Sequence, residues 1–490
     1  MTGARAQLGT LEASGLIEIA ALQPELEYLF RHALVQEAAY ASLLKQDRRQ
    51  LHSAAADTIL SLHPDREREL ASVIAMHLEH AGQTSRAADY MVLAGEHAIE
   101  RFANKESIAF FQRAGALADE SQVDLKMRAA IGSARAGWTY NEPGTDIDNL
   151  ERALVAADRT EPLLVTEAYF WVAFLRRQRG EVPASSPELR HAVERGTSIG
   201  ETLKDPTVAA VPKALMGSFM AFTGELREGA REMSEALDAI EAKADPVSTS
   251  MVSVFLALAY ARLGEFAAAE AAIARGDRSA AGSDAIARVD VDIARSALDL
   301  ERGEPEKACT QASECAVRAE GLGAYACVVA SNVMFGAASL AREDPSMAKP
   351  PLERGTELSR VTNMAALRTL TYGLLGSARA RLGDVPGGVQ DWDEALASAH
   401  QMGDRYGEAQ TLWGRGRTHL QNKDWLSALP DLDRAMQLFE AMEARPALAR
   451  VLHDRAETLR GLGRAAEGDE VDRRSADLWR QLGLRDRPTS

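Results

Sequence analysis

The chain has 490 residues, enough for several ordinary domains or for one long repeat array. Hydrophobic residues make up 46% of it and aromatic residues only 6%, a mixture that favours closely packed helices over sheets rich in β-branched and aromatic residues. The formal net charge is −16. We therefore expect neither nucleic acid nor an anionic membrane as a partner, because phosphate binding needs clustered Lys and Arg.

The sequence also predicts the compartment. No stretch reaches the ~18 uninterrupted apolar residues of a membrane helix, and the first residues lack the apolar core of a signal peptide. Three cysteines, Cys309, Cys315 and Cys327, form an odd and sparse set without metal-site spacing. We expect them to be buried free thiols of a cytoplasmic protein.

The first fifty residues predict a small mixed module. Residues 16–19 and 27–30 are short and β-prone, and Gln23-Pro24 in their connection predicts a hairpin. From Leu34 the apolar residues follow a helical period. A helix, a two-stranded wing and another helix are typical of a winged-helix domain, so we expect residues 1–52 to be the end of one.

Residues 53–120 are expected to form a helical transition region with the first helical hairpins. Within it, His77 and His80 are spaced to share one helical face, as a metal pair would. A structural zinc site needs about four ligands, and no third ligand stands at a familiar spacing. We therefore predict no metal site and assign both histidines to helix packing or to the solvated surface.

A repeat of about 40 residues begins near residue 165. Small residues recur at Ala173, Gly217, Ala257, Ser296, Gly336, Gly376, Gly416 and Ala456. A second set follows twelve residues later at Ser185, Gly229, Ala269, Ala308, Ala348, Gly388, Ala428 and Gly468. Between them lie the expected turns, at Gly180, Gly224, Gly264, Gly303, Glu343, Gly383, Lys423 and Gly463.

This pattern predicts pairs of antiparallel helices, here named A and B. The first small residue lets helix A approach helix B, the turn residue adopts positive φ, and the second small residue is the contact on helix B. One hairpin cannot bury its own apolar face, so neighbouring hairpins must stack. We predict an all-α, right-handed solenoid over residues 121–484 and a frayed tail over 485–490. Asp205-Pro206 and Pro350-Pro351 are expected between hairpins, where proline is tolerated.

The repeat resembles the tetratricopeptide repeat. One unit matches the family pattern of small-x2-Tyr-x3-Gly-x-aromatic-x2-Ala at Ala257, Tyr260, Gly264, Phe266 and Ala269. The units are longer than the ~34 residues of the common form. The resemblance implies a groove that binds a protein partner, lined by helix A residues that point away from helix B. Mapped onto this chain, the candidate partner-binding residues are Phe170, Phe174, Arg177, Arg381, Trp413 and Arg417. Packing between repeats is the alternative role for the aromatic residues.

The N-terminal region resembles the junction between a winged helix and a tetratricopeptide-like tail in bacterial signalling ATPases of the STAND class, some of which carry an adenylate or guanylate cyclase domain. The matching residues are Phe30-Arg31-His32-Ala33-Leu34, Glu37, Ala38, Tyr40, Leu43, Leu44, Arg49, Leu51 and His52. By this resemblance His32, with Arg31 as a second contact, touches the nucleotide phosphates of an ATPase or cyclase domain on a neighbouring chain. The alternative is that His32 packs under the wing.

No phosphate-binding loop of the form G-x-x-x-x-G-K-[ST] occurs, and no local catalytic signature is present. We therefore expect no catalytic residues, no cofactor and no enzyme activity from this chain alone. Two functions stay open. The first is a regulatory, protein-interacting module of a signal-transduction ATPase or cyclase-type regulator. The second is a free-standing tetratricopeptide-like scaffold with no nucleotide role.

Overall fold

The structure is a computed structural model that describes residues 2–21, 27–101, 103–138, 145–181, 187–242, 246–280, 285–362 and 364–485. Within these ranges the chain forms 24 α-helices, three short 3-10 helices and one two-stranded sheet. This confirms the predicted all-α solenoid with a small β-hairpin at its N-terminus. No helix in the described part is long and apolar enough to cross a membrane.

The N-terminal module follows the predicted order. It consists of α1 (Thr2–Ala13), β1 (Ile17–Ala21), β2 (Glu27–Phe30), α2 (Ala33–Ser42) and α3 (Lys45–Leu62). The two strands pair antiparallel, with Ile17 opposite Phe30 and an irregularity between Ile19 and Ala21. The predicted hairpin is therefore confirmed, although Gln23-Pro24 lies outside the described residues. The assignment of residues 1–52 to a winged-helix end stays a prediction.

The remaining helices alternate as hairpins along the chain. The first are α4 (Ala71–Ala81), α5 (Thr84–Glu100), α6 (Asn104–Leu117), α7 (Val123–Gly137), α8 (Thr145–Leu154), α9 (Pro162–Gln178), α10 (Pro187–Leu203) and α11 (Pro206–Thr223). Next come α12 (Leu226–Ala242), α13 (Pro246–Leu263), α14 (Phe266–Ala280), α15 (Ala285–Arg302), α16 (Pro305–Leu322), α17 (Tyr325–Ala341) and α18 (Pro345–Val361). The last are α19 (Arg368–Arg381), α20 (Val385–Met402), α21 (Arg405–Gln421), α22 (Trp425–Ala441), α23 (Arg445–Gly461) and α24 (Ala465–Leu482). The 3-10 helices are Pro64–Arg66, Ala157–Arg159 and Ala365–Leu367.

The predicted columns of small residues are the contact points of the hairpins. A Cβ atom added to Gly217 would lie 2.7 Å from the carbonyl oxygen of Gly229, so only glycine permits that approach. In another hairpin the Ser296 hydroxyl donates to the carbonyl of Ala308 at 2.8 Å. All eight predicted turn positions adopt positive φ, including the two that are not glycine, Glu343 and Lys423. Ser185 lies outside the described residues.

The contact between helices A and B is already present in the region where the sequence predicts the first hairpins. In the α5–α6 hairpin the Ser107 hydroxyl donates to the carbonyl of Gly95 at 2.8 Å, the same contact as in the later repeats. This unit differs from the later repeats in sequence, because Phe102 stands where most of them have the turn glycine. The three cysteines are buried free thiols, as predicted.

Two predictions about the chain's turns and end were wrong in part. Asp205 and Pro206 begin α11 as expected, with the Asp205 carboxylate accepting from the Thr207 backbone N–H at 2.9 Å. Pro350 and Pro351, however, lie inside α18. Pro350 is exposed, so water can bond the carbonyl that it leaves free. Arg485 is not frayed, because its backbone N–H donates to the Arg302 carbonyl at 3.1 Å.

The solenoid winds tightly enough for one superhelical turn to rest on the next. The turn glycines between helices A and B of the early repeats lie against the later repeats, with Gly224 near Met442 and Gly264 near Leu482. Arg227 spans the contact and donates to Glu443, 216 residues later in the chain. We name the helices up to α15 the first turn and the helices from α16 onward the second turn, so that the boundary falls within the α15–α16 hairpin.

Candidate functional site

A cavity of about 160 Å³ lies on the inner surface of the second turn, and α15 of the first turn forms part of its wall. Three of the six predicted partner-binding residues, Arg381, Trp413 and Arg417, lie on its wall. They come from α19 and α21, consecutive A helices whose inner faces turn toward the superhelix axis. The rest of the wall is Leu300, Glu301, Pro305, Ala337, Leu340, Ala341, Leu374, Ser377, Gln410, Gly414, Thr418, Arg450, His453, Asp454 and Trp479.

Two arginines on this wall share one carboxylate. The Arg417 guanidinium donates to Glu343 Oε1 at 2.6 Å, and Gln421 Nε2 donates to Glu343 Oε2 at 2.8 Å. Arg381 also pairs with Glu343, and its Nη1 donates to the Leu340 carbonyl at 3.3 Å. Burial lowers the pKa of Arg381; Glu343 acts in the opposite direction, while the Arg417 charge lowers it further. Arg381 and Arg417, which we name the rim of the cavity, thus carry two positive charges against the single negative charge of Glu343.

The indole of Trp413 is fixed by its neighbours. Its Nε1–H donates to the buried Asp454 carboxylate at 2.6 Å, and its ring meets Phe439 edge to face, with 6.3 Å between ring centroids. A held aromatic surface loses little entropy when a ligand packs on it, which suits it as an anchor.

The wall of the cavity that faces the first turn is closed by internal bonds. Arg450 Nη1 donates to Glu301 Oε2 at 3.2 Å, and the Tyr406 hydroxyl donates to the same residue at 2.8 Å. Burial, reinforced by Glu301, raises the pKa of Tyr406, so its hydroxyl stays protonated as a donor. Both partners of the Arg450–Glu301 pair are largely buried, which makes this pair part of the framework rather than a free binding group.

The other three predicted partner-binding residues do not reach this cavity. Phe170 and Phe174 are buried in a core cluster, where their rings stack with centroids 6.0 Å apart. Arg177 is only 3% exposed and lies over the Phe222 ring, 5.1 Å from its centroid. A partner would reach these residues only after the packed helices separate. Their role in partner binding stays a prediction.

His32 and Arg31 lie at the surface of the N-terminal module. His32 precedes α2 with an extended backbone, its side chain makes no capping hydrogen bond, and it is exposed. The alternative in which it packs under the wing therefore does not hold. Arg31 Nε lies 3.2 Å from Glu18 Oε2 across the hairpin. Their contact with a nucleotide phosphate stays a prediction.

In the structure His52 lies against His77 and His80, the two histidines that the sequence places on one helical face. His52 Nδ1 lies 2.8 Å from His77 Nδ1, the Tyr40 hydroxyl lies 2.9 Å from His52 Nε2, and His80 stacks on His52 with centroids 4.9 Å apart. The described residues contain no group of three His, Cys, Asp or Glu side chains that could hold a metal ion. The cluster is instead a hydrogen-bonded chain joining α2, α3 and α4. Sequence spacing missed it because His52 is 25 residues from His77.

No protein-family model and no curated protein matches the chain, but solved structures are similar to it. A Rap protein in complex with competence and sporulation factor is 15% identical with a TM-score of 0.42, covering 82% of this chain and 100% of that one. The Cut9–Hcn1 hetero-tetramer of the APC/C is 13% identical with a TM-score of 0.47, covering 91% and 90%. A STAND protein with a tetratricopeptide repeat sensor from Pyrococcus horikoshii is 16% identical with a TM-score of 0.46, covering 88% and 60%. These are tetratricopeptide-like helical repeat proteins, and at such identities the likeness concerns the fold alone.

Proposed function

We propose that the chain is a regulatory protein-interaction module that binds a segment of a partner protein in the cavity of its second turn. The observation that supports this function is the meeting of Arg381, Arg417 and Trp413 on one concave wall. Arginine and tryptophan are the residues that most often anchor protein interfaces, above all when neighbours hold them in place.

The N-terminal module suggests how binding is transmitted. We propose that residues 1–52 join the solenoid to the nucleotide-binding domain of a STAND-type ATPase, and that residues 53–120 connect that joint to the solenoid over residues 121–484. The exposed His32 beside Arg31 is available to donate to a phosphate. A partner in the groove shifts the ATPase between two states only if it binds those states with different affinity.

The second candidate function is a free-standing scaffold without a nucleotide role. The two are separated by His32→Ala, measured in a complex with the ATPase domain. If His32 stabilises the closed, ADP-bound state of the ATPase domain, the variant weakens ADP binding and raises basal signalling output. Unchanged ADP affinity together with unchanged output favours the scaffold.

The partner site is tested by placing a photo-crosslinking amino acid at Leu374, which lines the cavity. We expect a partner to be crosslinked from this position and the crosslink to be lost in a Trp413→Ala, Arg417→Ala background. The matched control carries the same crosslinker at Leu426, which is 78% exposed on α22. Equal capture from both positions, or capture that survives the double substitution, contradicts a site in the cavity.

A further inference from the structure

Glu343 occupies one of the predicted turn positions in place of glycine, and its side chain contacts the cavity wall. Six of those eight positions are glycine, whereas Glu343 has φ of 58° and Lys423 has φ of 60°. Side chains with a Cβ atom adopt this left-handed conformation at a cost that glycine does not have. The backbone of this turn therefore gives a glutamate no advantage over glycine.

The side chain of Glu343 contacts arginines on the cavity wall. From its turn after α17, its carboxylate accepts from Arg381, Arg417 and Gln421, which belong to the next two A helices. Charge-assisted bonds from guanidinium to carboxylate are among the strongest that side chains make. The other exception, Lys423, carries the opposite charge and is exposed.

A competing group can displace the Glu343 carboxylate from Arg381 and Arg417. The Glu343 side chain is 47% exposed, whereas that of Arg381 is 12% exposed and is held by the Leu340 carbonyl. If the glutamate leaves, two neighbouring guanidiniums remain in place at the rim without a carboxylate. A carboxylate from a partner replaces Glu343 with the same charge and the same planar, two-oxygen geometry that guanidinium groups bind in pairs of hydrogen bonds. The buried Arg450–Glu301 pair offers no such exchange.

We propose that Glu343 is a built-in occupant of a carboxylate-binding site, and that an acidic segment of a partner protein displaces it from Arg381 and Arg417. This inference rests on the proposed function and specifies the chemistry of the partner. The segment carries a carboxylate for the two arginines and an apolar side chain beside it for the face of Trp413. The carboxylate belongs either to an Asp or Glu side chain or to the C-terminus of the partner.

The probes are peptides labelled at the N-terminus with an uncharged BODIPY dye that has no carboxylate, titrated with the full chain and followed by fluorescence anisotropy. The sequence Gly-Leu-Glu-Leu-Glu-Leu with an amidated end presents side-chain carboxylates. Its Gln-for-Glu version with a free C-terminus presents only a terminal carboxylate, and the Gln version with an amidated end presents none. Binding of the first or second peptide but not the third identifies the source of the carboxylate.

The decisive variant is Glu343→Gly, which restores the residue that the turn favours and removes the internal competitor. A tethered group competes at an effective concentration of roughly 1 mM, and if a single carboxylate binds the two arginines with a Kd of roughly 0.1 mM, its removal lowers the Kd of the carboxylate peptide by about tenfold. Lys423→Gly is the matched control: it has the same turn and the same sign of φ, and it leaves the Kd unchanged. Adding Arg381→Met and Arg417→Met to Glu343→Gly abolishes binding.

Two results overturn the inference. If the peptide binds equally to the unmodified chain and to Glu343→Gly, the glutamate is not a competitor. If neither binds any carboxylate peptide, the rim is not a carboxylate site. In either case the crosslink from Leu374 still reports on the proposed function, so the two failures can be told apart. Thermal melting of each variant shows that it is folded.

Discussion

The surroundings of Arg177 determine both its hydrogen bonding and its pKa. None of its three guanidinium nitrogens has a hydrogen-bond acceptor among the residues that the structure describes, although the side chain is buried. Burial lowers its pKa, and the nearby Asp404 offsets this only in part. Burial likewise raises the pKa of Asp404, which caps α21 by accepting from Gly407 at 2.8 Å. Both charges lie where the first superhelical turn rests on the second.

At the residue scale we predict that Arg177→Met stabilises the protein. The methionine keeps most of the volume and removes a charge that has no hydrogen-bond partner, which is worth about 1–2 kcal/mol. The melting temperature, followed by circular dichroism, should rise. Arg176→Met is the control, since it removes only a partly exposed ion pair with Glu151, worth less than about 1 kcal/mol. A fall in melting temperature larger than that of the control would mean that attraction to Asp404 outweighs the burial of Arg177.

At the scale of an element, each hairpin depends on a close approach of two helices. Gly217 in α11 meets Gly229 in α12 at a distance that a Cβ atom cannot share. Gly321 in α16 has nothing within 4 Å of the place where its Cβ would stand. The same residue type is therefore required in one helix and dispensable in another.

We predict opposite effects for alanine at these two glycines. Gly217→Ala forces the helices apart at a cost of about 1–3 kcal/mol, which exceeds the gain in helix propensity of up to about 1 kcal/mol. Gly321→Ala makes only that gain. Urea unfolding should give a lower midpoint for the first variant and an equal or higher one for the second. A higher midpoint for Gly217→Ala would show that the hairpin is not tightly packed there.

The joint between α2, α3 and α4 is an element that responds to pH. Burial lowers the pKa of His52, and the nearby His77, His80 and Arg48 lower it further. Burial, with a contribution from His80, also lowers the pKa of His77. The other groups at the joint are the Tyr40 hydroxyl and Arg49, which lies against Gly82; Arg48 also lies over the Tyr40 ring. No acidic group in the described part faces His52 or His77 closely enough to favour their charged forms.

We predict that this joint loosens below pH of about 6.5, the ordinary pKa of histidine. Because both pKa values are lower in the folded state, the unfolded joint binds more protons in that range, and stability falls as the pH falls. Hydrogen exchange, corrected for its intrinsic pH dependence, should speed up between pH 7.5 and 5.5 in peptides from α2–α4 but not from α23–α24. The double variant His52→Gln, His77→Gln should lose this difference, and the exposed His400→Gln should keep it.

At the scale of the whole molecule, contacts between superhelical turns determine how extended the superhelix is. Some of them are ionic, including Arg450 with Glu301 and Arg227 with Glu443. A repeat protein is otherwise held only by contacts between neighbouring hairpins, so these distant pairs act together with the apolar contacts between the turns to keep the superhelix closed.

We predict that Arg450→Glu opens the superhelix. It places two carboxylates together in a largely buried position, where breaking such a pair costs about 3–5 kcal/mol. The radius of gyration from small-angle X-ray scattering should increase while the helix content stays the same. The double variant Arg450→Glu, Glu301→Arg restores opposite charges, so its radius of gyration should fall back towards that of the unmodified chain. An unchanged radius of gyration in the single variant would show that the turns hold together without this pair.

The candidate site was predicted only in part. The repeat pattern correctly selected A helix positions, and it brought Arg381, Trp413 and Arg417 onto the list of candidates before their meeting could be seen. The same rule also selected Phe170, Phe174 and Arg177. It did not predict that core packing and the second turn would bury them. Glu343 was noted as a turn residue, but its contact with two arginines 38 and 74 residues away had no signal in the pattern.

The sequence by itself determined the hairpin: its helices, its small contact residues and the positive φ of its turns. These features arise between residues a dozen positions apart, so a local pattern encodes them completely. Only the tertiary structure decided which A helix faces stay open. That outcome depends on the small rotation from each hairpin to the next, added over many repeats until residues 216 apart meet. The same rotation buries Arg177 and leaves Arg381 and Arg417 at the rim of a cavity.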